Sequence, residues 1–235
     1  MATALTNGSN YASASSVTVS GSDVYVSGRE YNGAKAVAKL WKNGVATALT
    51  DGSNYAYASY VTVSGSDVYV AGFERNGTKN VAKLWKNGVV TALTNGSNDA
   101  YAGSVTVSGT DVYVAGYENN VAKLWKNGVA TALTNGSNDA YANCVTVSGS
   151  DVYIAGYENN GTKYVAKLWK NGVATALTDG SNNASAFSVT ISGTDVYVVG
   201  YENNGKYVAK LWKNGVATAL TNGSNYAYPY SIFVR

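Results

Sequence analysis

The chain has no histidine and a single cysteine, Cys144. Without a second cysteine no internal disulfide forms, and without Cys/His groups a zinc site has no ligand set. A cysteine nucleophile needs a base partner, and histidine, its usual one, is missing. Cys144 stands where other copies of the surrounding phrase carry Ser16, Ser104, Ser188 and Ser231, so it reads as a small residue replacing serine. Charge is also scarce, at 13% of residues with a net charge of +3, and no Lys/Arg run exceeds one residue. The concentrated basic stripe of a nucleic-acid protein is therefore missing. No apolar run is long enough for a membrane-spanning helix. Helix is disfavoured in general, because Gly and Asn interrupt every apolar run within about eight residues. Met1 leads at once into repeat text, so no signal peptide is read and no compartment is indicated. The glycines sit in turns, without the Lys-(Ser/Thr) context of a phosphate loop.

What is present is one phrase written six times. Ala-Leu-Thr-(Asn/Asp)-Gly-Ser-Asn begins at Ala4, Ala48, Ala92, Ala132, Ala176 and Ala219. Between copies come a Ser-Val-Thr-Val-Ser-like run, then Asp-Val-Tyr-Val, then Val-Ala-Lys-Leu-Trp-Lys-Asn-Gly. Trp41, Trp85, Trp125, Trp169 and Trp212 recur at intervals of 44, 40, 44 and 43 residues. A period in the low forties built of short strand-like runs marks a β-propeller, one four-stranded blade per repeat. In the second unit the strands are Val61–Val63, Val68–Ala71, Val81–Lys86 and Val89–Leu93. Asn-Gly after each tryptophan segment supplies the two positive φ values of a type I′ hairpin. The strands carry apolar residues on both faces, as sheets stacked between neighbours require. The tryptophan reads as a spacer between blades. The hairpin aspartates Asp23, Asp67, Asp111, Asp151 and Asp195 read as turn residues bonded to their own backbone.

The unit resembles a Kelch-type blade, in its apolar run, its Asp-Val-Tyr-Val-(Ala/Ser/Val)-Gly phrase and its strand ending near Trp. Ser27-Gly28, Ala71-Gly72, Ala115-Gly116, Ala155-Gly156 and Val199-Gly200 stand in the place of the family's Gly-Gly doublet. Overall size and blade number also look like the five-bladed tachylectin-type lectins, though their blade motifs differ. The Kelch resemblance implies that the first strand lines a central channel and the fourth lies outermost. The expectation is one all-β domain over residues 1–235, a β-propeller of five four-stranded antiparallel blades starting near residues 16, 60, 104, 144 and 188. Strands at 2–6 and 231–235 would serve closure; the alternative is six blades, one of them partial and built from both termini. A monomer is expected, with strand-mediated oligomers if closure is incomplete. Near-identical blades point to a recently amplified or engineered array.

Differences between repeats gather on one face. The second–third loops vary, each carrying one glutamate (Glu30, Glu74, Glu118, Glu158 or Glu202), and so do the crossings between blades, at Tyr11, Tyr55, Asp99, Asp139, Asn183 and Tyr226 and again at Ser15, Ser59, Gly103, Asn143, Phe187 and Tyr230. Loops on a rigid scaffold commonly carry function, and tyrosine is a good contact residue. Tyr55, Tyr57, Asp99, Tyr101, Asp139, Tyr141, Glu74 and Glu118 are the candidate ligand-binding residues. The bland account of the same pattern is drift in weakly constrained segments. No catalytic residue, metal ligand or cofactor is assigned. Two functions are consistent with this: a non-catalytic repeat scaffold, or a carbohydrate- or peptide-binding module. Sequons at Asn7, Asn76, Asn95, Asn135, Asn160, Asn183 and Asn222 come with the repeat.

Overall fold

The computed structural model describes residues 4–234. They form twenty strands and, among the described residues, no helix. The strands make five separate four-stranded sheets, each antiparallel between sequence neighbours: β1 to β4, β5 to β8, β9 to β12, β13 to β16 and β17 to β20. This is the five-blade, all-β architecture the period predicts. The chain divides into two compact units, Met1–Val114 with Trp125–Ala130, and Ala115–Leu124 with Thr131–Arg235.

The first unit holds β1 (Ala12–Ser20), β2 (Asp23–Tyr31), β3 (Ala36–Lys42), β4 (Val45–Ala48), β5 (Ala56–Ser64), β6 (Asp67–Arg75), β7 (Asn80–Lys86), β8 (Val89–Ala92) and β9 (Ala100–Ser108), with parts of the strands that follow. The second holds β13 (Ala140–Ser148), β14 (Asp151–Asn159), β15 (Tyr164–Lys170), β16 (Val173–Ala176), β17 (Asn183–Ser192), β18 (Asp195–Asn203), β19 (Tyr207–Lys213) and β20 (Val216–Ala219). Strands β10 (Asp111–Glu118), β11 (Val121–Lys126) and β12 (Val129–Ala132) complete the third sheet. Fourth strands are exposed at all four positions, whereas first strands such as β5 and β9 are buried or half-buried at every position except Tyr60.

Turn chemistry follows the sequence. At the third–fourth hairpin Asn43 has φ 50° and Gly44 φ 83°, the paired positive angles of a type I′ turn. The first–second turn has positive φ only at its first central residue, Gly21 at 58°, which is the pattern of type II′. In the third blade the shortened loop is a two-residue turn, with Asn119 at φ 51° and Asn120 at φ 62°.

The first strands begin about four residues earlier than the sequence suggests, at Ala12, Ala56, Ala100 and Ala140, and at Asn183 in the fifth blade. The physical reason is a bulge. Pairing of β5 with β6 runs Ala58↔Gly72, then Tyr60↔Ala71, skipping Ser59. The same slip passes over Ser15, Asn143 and Phe187. A strand carrying an extra residue bends and twists but continues pairing. The bulge brings a carbonyl onto the facing glycine: a Cβ on Gly72 would lie 2.0 Å from the Tyr57 oxygen, and one on Gly28, 2.0 Å from that of Ser13. The constant glycine of the Asp-Val-Tyr phrase is thus required by close backbone approach.

The closure strands expected at 2–6 and 231–235 lie partly outside the described residues. Of their described portions, 4–6 and 231–234 form no strand. Leu5 nevertheless lines a hollow with Ala12 and Trp41.

Trp85, Trp125 and Trp212 face the blade before their own. Trp85 packs with Tyr25, Ala38 and Leu49 of the first blade, beside its own blade's Val61 and Val70. Trp125 meets Tyr69, Ala71, Ala82 and Leu93, and Trp212 meets Tyr153, Ala155, Ala166 and Leu177. All five indoles are at most 1% exposed, and none of their N–H groups has an acceptor among the described residues. The rings therefore act through volume and apolar area. Alanines such as Ala71 and Ala82, fully buried, let the sheets come close enough to grip them.

Two stability outcomes follow from these contacts. Trp125→Ala is expected to cost about 3–5 kcal/mol in urea unfolding; a loss below about 1 kcal/mol would show that the indole spaces nothing. Gly72→Ala should cost about 3 kcal/mol or more, because the carbonyl it meets is backbone and cannot swing aside. An unchanged midpoint for that variant would remove the bulge argument.

Candidate functional site

The hairpin aspartates do not bond their own turns. Asp23 Oδ1 accepts from Asn43 Nδ2 at 2.8 Å, and Asp23 Oδ2 faces Lys42 Nζ at 2.7 Å. Asn43 Oδ1 in turn accepts from the Val24 amide at 2.8 Å, and Lys42 lies 5.3 Å over the Tyr25 ring. The same knot recurs at Asp67, Asp111, Asp151 and Asp195. It ties the start of each second strand to the third–fourth hairpin. This corrects the expectation of a locally satisfied turn residue: Lys-Asn-Gly sits beside Asp-Val-Tyr because the second and third strands pair antiparallel, with Tyr25 opposite Lys42.

Each of these carboxyls is held below the usual range, first by the lysine hydrogen bond and next by the asparagine. Each partner lysine is raised, first by its aspartate.

The loop glutamates are not in loops. Glu74 lies in β6 opposite Val81, with Lys83 Nζ 3.7 Å from its carboxylate. Glu118 lies in β10, 3.6 Å from Lys123. Glu30, Glu158 and Glu202 pair with Lys39, Lys167 and Lys210 in the same way. Among the described residues no group of three or more His, Cys, Asp or Glu could hold a metal ion.

Of the candidate tyrosines, Tyr57, Tyr101 and Tyr141 lie in first strands rather than crossings. In the first unit Phe73 stands between Tyr57 (ring centroids 6.2 Å) and Tyr101 (5.5 Å), while Arg29 lies 4.9 Å over the Tyr57 ring. Tyr55 is held elsewhere, its hydroxyl donating to the Ala34 carbonyl and its ring 6.4 Å from Tyr31. Asp99 accepts from the Asn80 amide at 3.0 Å and from Lys79 at 2.9 Å, and the amide bond is the leading cause of its lowered pKa.

In the second unit Tyr141 stacks on Tyr157 at 4.9 Å and meets Tyr117 edge-on at 4.4 Å. Burial pushes the Tyr141 and Tyr157 hydroxyls upward, with neighbouring tyrosines adding to it. The Asp139 carbonyl accepts from the Asn159 amide, which makes it a backbone anchor. The structure thus groups Tyr57 with Tyr101 and Tyr141 with other aromatics, but sets Asp99, Glu74 and Glu118 in ion pairs of their own.

The variable positions are largely contacts between consecutive blades. The bulge residue Ser15 donates to the Tyr57 hydroxyl at 2.7 Å, and Ser59 to that of Tyr101 at 2.9 Å. Where the following blade has Ser185 instead of tyrosine, the bulge residue is Asn143, whose Nδ2 donates to the Ala186 carbonyl at 2.8 Å. Phe187 stacks with Tyr230 at 6.0 Å. Sequence reasoning missed the residue after the conserved glycine: Arg29, Phe73, Tyr117, Tyr157 and Tyr201 form the middle of each aromatic row. Aligning the five Asp-Val-Tyr phrases would have exposed it.

No family model matches the chain, and no curated protein is significantly similar to it. Among solved structures, a puromycin hydrolase mutant complexed with PGG matches at 12% identity with a TM-score of 0.59. The match covers 93% of this chain and 38% of that one, so the chain spans well under half of the hydrolase's length. A putative TolB from Agrobacterium tumefaciens aligns at 15% identity over 83% of this chain and 80% of that one, with a TM-score of 0.49. Five four-stranded antiparallel sheets and the likeness of fold to part of the hydrolase define an all-β, five-bladed β-propeller architecture.

The fivefold knot makes stability depend on pH at both ends. A carboxyl lowered from about 3.9 contributes stability above that value and loses it as pH falls through the folded pKa. A lysine raised from about 10.4 contributes below that value and loses it as pH rises through its folded pKa. The thermal midpoint is expected to hold between roughly pH 5 and pH 10 and to fall outside. Calorimetry across this range checks it; a midpoint that climbs on acidification below roughly pH 4 would contradict the assignment.

Proposed function

We propose that the chain is a non-catalytic repeat scaffold built of Kelch-like blades. One observation carries this reading: the recurrent acids are engaged within their own blades. Asp23, Asp67, Asp111, Asp151 and Asp195 are each held by Lys and Asn, and Glu30, Glu74, Glu118, Glu158 and Glu202 each face a third-strand Lys. A general acid or base needs a tuned group free to reach substrate. The likeness to part of a hydrolase is one of fold and supplies no such group here.

A second reading, a carbohydrate- or peptide-binding module, is favoured by the aromatic rows. Tyr55 and Tyr226 keep much of their surface exposed beside Tyr31 and Tyr207. Such edges offer flat, low-entropy contact area to a sugar ring or an extended peptide.

Glycan and peptide arrays probed with the full chain, together with ester, peptide and glycoside hydrolysis assays, separate the cases. The scaffold predicts silence in all of them. Saturable binding that falls at least ~10-fold, about 1.4 kcal/mol, in Tyr55→Ala or Tyr141→Ala replaces it with the module. Turnover that drops in Glu118→Gln overturns both.

A further inference from the structure

Asn-Gly pairs punctuate the whole chain, and the structure holds their side chains in different ways. In such a pair the glycine amide nitrogen, unhindered by a Cβ, can attack the asparagine side-chain carbonyl carbon. A new C–N bond closes a succinimide ring, the Cγ–Nδ2 bond breaks, and ammonia leaves with the amide proton. Water then opens the ring to aspartate or isoaspartate. The attack turns on where the side chain points and on whether Nδ2 is free to leave.

At the third–fourth hairpins the side chain reaches away from its own glycine. Asn43 Oδ1 accepts from the Val24 amide at 2.8 Å and Asn43 Nδ2 donates to Asp23 Oδ1 at 2.8 Å, both in the second strand. Asn87, Asn127, Asn171 and Asn214 are locked in the same way. In the second–third loops Asn32, Asn76 and Asn160 keep Oδ1 on a nearby amide, but Nδ2 is tethered to the carbonyl of Gly52, Gly96 or Gly180. After Asn204, the Gly205 amide already donates to Asn203 Oδ1 at 3.1 Å.

The asparagines of the phrase written six times differ. Asn95 Oδ1 accepts from the Ser97 amide at 3.0 Å, and its Nδ2 has no acceptor among the described residues. Asn7 makes the same turn with Ser9 at 3.0 Å, Asn135 with Ser137 at 2.9 Å and Asn222 with Ser224 at 3.0 Å. The side chain is thus folded over its own following residues. The serine amide donates to the oxygen on which negative charge collects as the glycine nitrogen attacks, and a donor aimed there lowers the barrier. At Asn7 and Asn222 the serine hydroxyl adds a second donor at 2.6 Å. The product of conversion is already built into the array. Asp51 and Asp179 hold this position in two copies and accept from the Ser53 and Ser181 amides at 2.8 Å and 2.9 Å. Gly52 and Gly180 after them have φ 80° and 81°, against 79° for Gly96.

We propose that Asn7, Asn95, Asn135 and Asn222 are self-modification sites, at which the folded chain closes succinimides and converts amide to carboxylate, while the locked hairpin asparagines are spared. Each conversion removes one unit of positive charge, so four of them carry the chain from +3 past zero. The array thereby records its age in surface charge, with water as the only other reactant.

Peptide mapping by mass spectrometry tests this on the full chain, incubated folded in mildly alkaline buffer beside a second sample in denaturant. In the folded chain Asn7, Asn95, Asn135 and Asn222 should convert at least ~10-fold faster than Asn43, Asn87, Asn127, Asn171 and Asn214. In denaturant the two groups, all of them Asn-Gly, should converge. Isoelectric focusing of the folded sample should show successive acidic steps. Asn95→Asp should keep the parent's far-UV spectrum and thermal midpoint, as Asp51 keeps the same turn. A smaller ratio in the folded chain overturns the proposal. So does a ratio that persists in denaturant, which would place the difference in local sequence and not in the fold, and so does an Asn95→Asp chain that fails to fold.

Discussion

The structure depends on a sheet that is apolar on both sides. A four-stranded blade of this composition has no face that water can solvate cheaply, so each must be covered. The indole supplies much of the cover: Trp85, Trp125 and Trp212, fully buried, fill the gap to the blade before their own, among alanines that leave them room. Apolar area removed from water is the main favourable term in such a stack. Polar residues are left to set the register and the turns.

That division explains the behaviour of the charged groups. Asp, Lys and Asn in the second- and third-strand phrases look like a surface pattern in the sequence. In three dimensions antiparallel pairing places Tyr25 opposite Lys42 and Val26 opposite Trp41, so residues about twenty apart become one knot. The knot is solvent-exposed, and individual exposed ion pairs stabilise little. Its repetition, and its link to a backbone amide through Asn43 Oδ1, make it a device for holding the hairpin on the sheet.

Much of the fold was legible in the residues. The period, the Asn-Gly hairpins and the two-sided hydrophobicity point to four-stranded blades, and the tryptophans to the space between them. The beginning of each first strand was not legible, because Ala-Tyr-Ala-Ser before Tyr60 reads as a crossing until the bulge at Ser59 is known. The reason for the constant glycine was hidden for the same cause. At the candidate site the aromatic residues were found but their partners were not. Arg29 and Phe73 sit in strands whose register only pairing reveals. Glu74 and Glu118 were read as loop residues because glutamate in a short asparagine-containing segment looks solvated, whereas the third-strand lysine reaches each of them.

The pairing of each bulge residue with the following blade has a consequence for how such an array changes over time. Serine at position 15 is matched to a tyrosine hydroxyl at 57, while asparagine at 143 is matched to a serine and a backbone carbonyl at 185 and 186. Copies that look interchangeable are therefore keyed to their successors. Recombination between repeats would carry half of two such matches and strand the other halves, so the order of the blades is itself inherited information.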